Sequence, residues 1–270
     1  MNAKLFTRAL IFFASLYSVA EPSVSADPLG GSPRASGVWC ERRSVFSITQ
    51  EHELRLSLSL RRITGYDTLG FVCDGSLILG DPPSTKGGSV EARRILMRAI
   101  CSNAIFVIED YSGLPSVTFG QAVSERVVYD ARDGGSSQIW RLRLDFDDFQ
   151  EMSASSEVKA SFDEGFTFFH ELLHGLGYSD ASRVGELGAC EEIVNRIRGE
   201  LGLPLRDQYF GETWRISEKL TSVRLRFRAL TRDANSRRRE SHYLFFILSE
   251  PAEYSAGIGG VTRVDNRLRH

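Results

Sequence analysis

The sequence of 270 residues is short of several features that mark specialised classes of protein. It has four cysteines and no Cys-x-x-Cys pair, which excludes a cysteine-based zinc knuckle. No stretch approaches the roughly 20 consecutive apolar residues of a membrane-spanning helix. The formal charge of −2 gives no excess of basic residues for binding nucleic acid or an anionic membrane surface. What remains is a globular composition, 42% hydrophobic and 25% charged.

The N-terminal 26 residues have the pattern of a secretory signal peptide. Lys4 and Arg8 precede a short apolar run at 9–16, and small residues at 18–20 and 24–26 give two cleavage sites, after residue 20 or after residue 26. We therefore expect a secreted or periplasmic protein. Residues 27–40 are predicted to be a flexible N-terminus because they are rich in Pro, Gly and Ser, and residues 41–270 are predicted to form the folded domain.

Export changes the interpretation of the cysteines. In an oxidising compartment, an even set of four predicts two disulfides, whose pairing the sequence leaves open. Buried free thiols are the alternative, since an unpaired cysteine often behaves as a small apolar residue. The four are Cys40, Cys73, Cys101 and Cys190.

Hydrophobic periodicity predicts a mixed α+β protein with strands on both sides of a central pair of helices. Ser89 has the position of an N-cap for a helix at 90–102, and a second helix is predicted at about 182–201. Alternating or continuous apolar runs predict strands at 53–63, 70–81, 104–110, 139–149, 222–230 and 241–250.

The central helix is predicted over 162–174. Ser161 and Glu164 have capping-box spacing, and Gly175 and Gly177 supply the stop. Phenylalanines and leucines cover most of its surface, so the helix should be buried on most sides. The polar positions form one narrow strip, which consists of Asp163, Thr167, His170, Glu171 and His174.

The strip contains the pattern His-Glu-x-x-His. Two histidines four residues apart on a helix lie on one face, about 6 Å apart along the axis, and both imidazoles reach one zinc ion at ~2.1 Å. Glu171, beside His170, would act as general base on a water molecule at the metal. On a helix, this pattern is the signature of zinc peptidases. A buried helix that spells it by coincidence is the alternative.

His52-Glu53-Leu54 shows what a chance fragment of the motif looks like. It falls in the predicted strand at 53–63, and no second histidine follows at the required spacing. We therefore expect no metal site there.

The third zinc ligand is predicted to be one of three downstream acids, ranked Glu186, Glu191 and then Asp180. Glu186 falls at the edge of an apolar stripe, where a carboxylate needs a partner. Asn195, four residues after Glu191, has the spacing of a group that supports a ligand from behind. Asp180 completes the metzincin spacing, but no methionine follows the motif for a methionine turn, and Asp180 has a second role open to it as a helix cap.

The segment NRIRGELGLPLRDQY, residues 195–209, follows FFHELLHGLG. Together they resemble the zinc peptidases typified by type III secreted effectors that cleave host kinases, and related peptidase domains of bacterial toxins. The resemblance covers residues 167–209. It implies a gluzincin-like enzyme with a zincin-like core, in which the active-site helix lies beside a mixed β-sheet. It also implies that His170 and His174 are ligands and that Glu171 is the base. It favours Glu186 over Glu191 as the acidic ligand. Further family positions of unassigned role are Asn195, Arg198, Arg206 and Tyr209.

These observations predict an exported zinc-dependent endopeptidase with one Zn²⁺ per chain and a protein or peptide substrate. The strand at 139–149 is the expected edge for an extended peptide, and Tyr209 or His242 the expected oxyanion partner, with a buried structural tyrosine as the alternative. Two other functions stay open. One is a secreted binding or structural domain with a structural or vestigial metal site, and the other is an amidase acting on cell-wall peptide.

Overall fold

A computed structural model of the chain describes residues 37–80, 85–114, 118–128, 136–218, 220–229 and 241–249. The predicted signal peptide and residues 27–36 lie outside this range. Residues 37–40 were predicted to be flexible, and this was wrong. They form a strand that pairs in parallel with residues 105–108, because Val38 and Cys40 are buried in the core.

The described residues form ten strands and six helices. The strands are β1 Gly37–Cys40, β2 Gly70–Phe71, β3 Leu77–Ile78, β4 Ile105–Asp110, β5 Gly120–Val128, β6 Ser136–Leu144, β7 Leu205–Arg206, β8 Glu212–Arg215, β9 Leu220–Arg228 and β10 Ser241–Ser249. The helices are α1 Gln50–Thr64, α2 Val90–Ile100, α3 Asp148–Glu151, α4 Ser156–Ser161, α5 Glu164–Gly175 and α6 Gly188–Glu200.

The larger part of the core lies between a four-stranded mixed sheet and four helices, α1, α2, α5 and α6. The strand order is β1-β4-β6-β5, in which β5 is antiparallel to β6 and the other pairs are parallel. Strand β4 is buried over 105–109, as expected for a strand covered on both faces. Helix α5 packs against β5, β6, α1 and α6. The α+β class and the position of this helix beside a mixed sheet are thus confirmed.

A second sheet covers the other end of the molecule. Its order is β10-β9-β7, and β8 also pairs with β9. Strands β9 and β10 are antiparallel with Leu225 opposite Leu244, and their inward residues form a second apolar cluster with Phe119, Phe149 and Phe162. The two C-terminal strand predictions are therefore confirmed.

The predicted strand at 53–63 was wrong, since these residues belong to α1. The leucines fit both periods, but burial follows the helical one: Leu56 and Leu60 are buried, whereas Leu54 is 57% exposed and Leu58 is 53% exposed. Thr49 accepts a hydrogen bond from the N–H of His52 as N-cap. The helix ends at Gly65, whose φ of 77° is favourable for glycine.

The other elements agree better with the sequence. Ser89 caps α2, and β4 lies where predicted. The strand predicted at 70–81 is only a short hairpin of β2 and β3. Strand β6 exists but is not an edge, because it lies between β4 and β5. No helix within the described ranges is long and apolar enough to cross a membrane.

The two expected disulfides are not formed: all four cysteines are free thiols in the structure. Cys40 and Cys190 are buried in the core, and Cys73 and Cys101 are exposed. The thiol of Cys190 instead contacts a histidine ring, 3.7 Å from Nδ1 of His174.

Candidate metal centre

The motif helix α5 begins two residues later than predicted. Asp163 is its N-cap and accepts hydrogen bonds from the N–H groups of Gly165 and Phe166, whereas Ser161 ends the preceding helix α4. An aspartate in this position also compensates the positive end of the helix dipole. All eleven residues from 164 to 174 are buried, so the polar strip lies inside the protein.

The two histidines of the motif point the same nitrogen toward one aspartate. Nε2 of His170 lies 2.9 Å from Oδ1 of Asp180, and Nε2 of His174 lies 3.3 Å from Oδ2. The other nitrogens face away: Nδ1 of His170 is 3.3 Å from Glu191, and Nδ1 of His174 is 3.2 Å from the carbonyl of Tyr178. Acceptors at both Nδ1 atoms favour the tautomer that leaves Nε2 free to bind a metal.

One group of side chains beside the motif can hold a metal ion. One ligand atom each from His170, His174, Asp180 and Cys190 lies within 4.8 Å of the others. Imidazole nitrogen, carboxylate oxygen and thiolate sulfur are the ligands that zinc takes in proteins. Oδ1 of Asp180 is buried and makes no hydrogen bond within the described part of the chain, although Nε2 of His170 is 2.9 Å away.

Two features bring Asp180 to the histidines. The backbone of Asp180 bridges that of Gly188 at the start of α6, and a Cβ on Gly188 would collide with the backbone of Asp180 and Ala181. Gly188 also has a φ of 76°, so this close approach requires glycine. The hydroxyl of Tyr209 donates a 2.7 Å hydrogen bond to Oδ2 of Asp180.

The other two candidate ligands lie elsewhere. Glu186, ranked first from the sequence, is exposed on the loop before α6, and its carbonyl accepts the N–H of Tyr209. Glu191 is buried behind His170 on the Nδ1 side, where it pairs with Arg198 and Arg206. The structure therefore brings the lowest-ranked acid to the histidines and places Glu191 as a support for His170.

Glu171, the predicted base, is buried between α5 and the edge strand β5. A Cβ on Gly120 would clash with Thr167 and press on Glu171, so glycine allows β5 to pass close over the helix. Oε2 of Glu171 has no hydrogen-bond partner among the described residues. The carboxylate lines a cavity of about 20 Å³, room for roughly one water molecule, together with His170 and Tyr209.

Burial and charge shift the pKa values of these groups in different directions. Burial raises the pKa of Glu171, and the neighbouring histidines only partly oppose it. Burial disfavours the charged form of His170, but Asp180 and Glu191 outweigh this and raise its pKa to about 10. Burial also disfavours ionised Asp180, yet the two histidines hold the pKa of Asp180 below its usual range. Burial raises the pKa of the Cys190 thiol.

Of the other residues singled out from the sequence, all but His242 lie at or behind the group of histidines, and His242 lies in the second sheet. Tyr209 stacks on His170 with ring centroids 5.7 Å apart, and Asn195 binds the backbone of Arg206 behind the site. Sequence reasoning assigned no role to Arg198 or Arg206, although their spacing after Asn195 marked them. His242 lies on β10 opposite Phe227, outside the group of metal-binding residues.

Comparison with known proteins adds no family to this geometry: no protein-family model, no curated protein and no solved structure matches the chain.

Proposed function

We propose that this chain is an exported zinc-dependent endopeptidase whose metal is held by His170, His174 and Asp180. The observation that carries the proposal is the convergence of both Nε2 atoms on the carboxylate of Asp180, with buried Glu171 beside them. Three protein ligands and a neighbouring carboxylate are the composition of a catalytic zinc site rather than of a closed structural one. Export rests on the signal-peptide pattern of residues 1–26.

The reaction proposed is hydrolysis of a peptide bond. A bound zinc ion would supply a Lewis acid that polarises the substrate carbonyl and acidifies a water molecule. Glu171 would be the group that accepts a proton from water and later gives it to the departing amine.

A peptide substrate fits the free edge of the first sheet. The carbonyl of Phe119 accepts the N–H of Asp145, so alternation along the antiparallel strand directs the N–H of Ala122 away from β6 and toward Glu171. The outer side of β5 is unpaired within the described ranges. An extended peptide adding to this strand would pass over Glu171. This assigns the substrate edge to β5 in place of the strand at 139–149.

The second candidate function is a structural metal site, and Cys190 is the observation that favours it. A fourth protein ligand would close the coordination sphere and leave no position for substrate. Cys190, however, contacts Nδ1 of His174, the nitrogen turned away from Asp180. A Cys190→Ser variant separates the two functions. Zinc affinity should change little if three ligands hold the metal, and should collapse if the thiolate is the fourth.

Metal content and hydrolysis test the proposal directly. Purified protein should hold about one zinc per chain and cleave members of a peptide library, and a chelator should stop the cleavage reversibly. Cell-wall peptides belong in the same library, because their selective hydrolysis would identify the amidase instead. Loss of thermal stability on chelation, with no hydrolysis of any substrate, would identify a structural site.

A further inference from the structure

Three charged side chains lie buried behind His170. Glu191, Arg198 and Arg206 are 1%, 1% and 3% exposed. Buried charges are costly unless they are paired and hydrogen-bonded, and here two cations share one carboxylate. Because burying these three charges is unfavourable, we expect the cluster to have an effect on the neighbouring proposed ligands.

Both oxygens of Glu191 are fixed by this cluster. Oε1 accepts a hydrogen bond from Nη1 of Arg198, and Oε2 accepts one from Nη1 of Arg206 at 3.2 Å. Oε2 also lies 3.3 Å from Nδ1 of His170. A carboxylate held at both oxygens cannot turn, so the imidazole plane of His170 is set by the two arginines through Glu191.

Arg206 also contacts Tyr209, the residue that binds the second proposed ligand, Asp180. Its Nη2 donates to the backbone carbonyl of Tyr209, and its guanidinium lies 5.2 Å from the centre of the Tyr209 ring. The hydroxyl of Tyr209 in turn donates to Asp180 at 2.7 Å, and its ring stacks on His170. Arg206 is therefore the residue at which the supports of His170 and Asp180 meet.

Asn195 and Arg198 hold Arg206 in place. The side-chain oxygen of Asn195 accepts the N–H of Arg206 and Nη1 of Arg198, both at 2.9 Å, and its Nδ2 donates to the carbonyl of Arg206. Nε of Arg198 donates to the carbonyl of Ser161 at 2.7 Å. The network is thereby anchored to the main chain next to the start of the motif helix.

We infer that Arg206, with Arg198 and Asn195, is a positioning residue that orients His170 through Glu191 and Asp180 through Tyr209 for a single zinc ion. The inference rests on the proposed function for the metal itself. It gives a role to Asn195, Arg198, Arg206 and Tyr209, the positions of the 195–209 segment that the resemblance left without one. None of these residues touches the reacting atoms; they act on the proposed ligands through Glu191 and Tyr209.

The test compares Arg206→Lys with Arg196→Lys on the full chain. Lysine keeps the charge at 206 but loses the planar fork that binds Glu191, Gln208 and Tyr209 together. Arg196 on α6 is the control arginine, because it is exposed and pairs with Glu91. Zinc affinity, measured by competition with a chelator, should fall by about 10–100-fold in Arg206→Lys and stay within about twofold in Arg196→Lys.

A spectroscopic readout separates positioning from general destabilisation. In zinc-loaded wild type, the Nδ1 proton of His170 should give a downfield NMR signal that exchanges slowly because Glu191 accepts it. Arg206→Lys should shift and broaden this signal, and Arg196→Lys should leave it unchanged. If Arg206→Lys does not fold, Tyr209→Phe removes only the hydroxyl on Asp180, and about tenfold weaker zinc binding is expected.

Wild-type zinc affinity and an unchanged His170 signal in folded Arg206→Lys would overturn the inference, as would unchanged zinc affinity in Tyr209→Phe. So would a wild-type protein that binds no zinc. These measurements need no hydrolysis. A wild type that binds zinc and cleaves nothing would therefore refute the endopeptidase while the variants still decide the role of Arg206.

Discussion

Helices α1 and α5 both carry the tripeptide His-Glu-Leu, at 52–54 and 170–172, and of the two only the α5 tripeptide lies in the candidate metal centre. On α1, His52 pairs with Asp110 at 2.6 Å and Glu53 pairs with Arg42, and both pairs are partly buried. On α5, His170 and Glu171 are buried, and Oε2 of Glu171 has no hydrogen-bond partner among the described residues. Each helix is continuous and capped by a side chain.

The difference lies in what surrounds the tripeptide. The position four residues after His52 is Leu56, which packs in the core, whereas the one after His170 is His174. The carboxylate of Asp180 contacts Nε2 of both histidines, and Glu191 lies beside Nδ1 of His170 on the other side of the ring. A helical His-Glu becomes a candidate site only when further loops and helices bring these partners to it.

The largest contrast should come from removing one histidine on each helix. His174→Ala should lose zinc and all hydrolysis, because two ligands do not hold the ion at catalytic geometry. His52→Ala should keep both, since His52 lies outside the group of metal-binding residues. Metal content after dialysis and peptide cleavage measure the two variants. Retention of zinc by folded His174→Ala would break the comparison.

The second contrast is between two acids downstream of α5. Asp180→Ala should weaken zinc binding by at least about 100-fold, because it removes a direct ligand. Glu186→Ala should have no effect beyond twofold, since Glu186 is exposed and away from the histidines. A chelator titration gives both affinities. The opposite ranking would restore Glu186 as the third ligand.

The pH dependence of the metal-free protein should follow His170. Its pKa is about 10 in the folded chain, against about 6.5 for an unfolded histidine. The folded state therefore binds this proton more tightly, and the resulting stability is full below about pH 6.5 and is lost as the pH rises toward 10. Urea unfolding at several pH values should show this decline in wild type. His170→Gln should flatten it, and an equally steep decline in that variant would assign it to other groups.

The smallest effects should come from the helix caps. Asp163→Ala should lower the free energy of unfolding by about 1–2 kcal/mol, because Asp163 caps α5 and also binds Ser59 and Arg62 of α1. Thr49→Ala should lower it by about 0.5–1 kcal/mol, since Thr49 makes only one capping bond in the structure. Chemical denaturation measures both, and a larger loss for Thr49→Ala would contradict this order.

The sequence predicted α5 well because one signal dominates it. Phenylalanines and leucines at helical spacing, a nearby cap and two glycines all indicate a buried helix with one polar strip. Helix α1 was harder, since leucines at 54, 56, 58 and 60 fit alternation as well as a helix, and only packing against α5 selects the helical face.

The choice of Asp180 as the proposed third ligand was beyond sequence reasoning for a different reason. Asp180 reaches the histidines through a loop that depends on the φ of Gly188 and on the hydroxyl of Tyr209, 29 residues further along the chain. From the sequence, three acids were ranked as candidates, and Asp180 was placed last. The cysteines were misassigned similarly, because disulfide formation depends on distances that a list of positions does not contain.

Glu171→Gln, compared with Glu53→Gln, tests the central claim most directly. Glutamine keeps the size of Glu171 but cannot take a proton, so the protein should retain about one zinc and lose hydrolysis by about 10²–10⁴-fold. Glu53→Gln changes the same tripeptide on α1 and should retain both zinc and hydrolysis. Zinc content and the rate of cleavage of one library peptide are measured on the same samples. Wild-type cleavage by zinc-loaded Glu171→Gln would contradict the account.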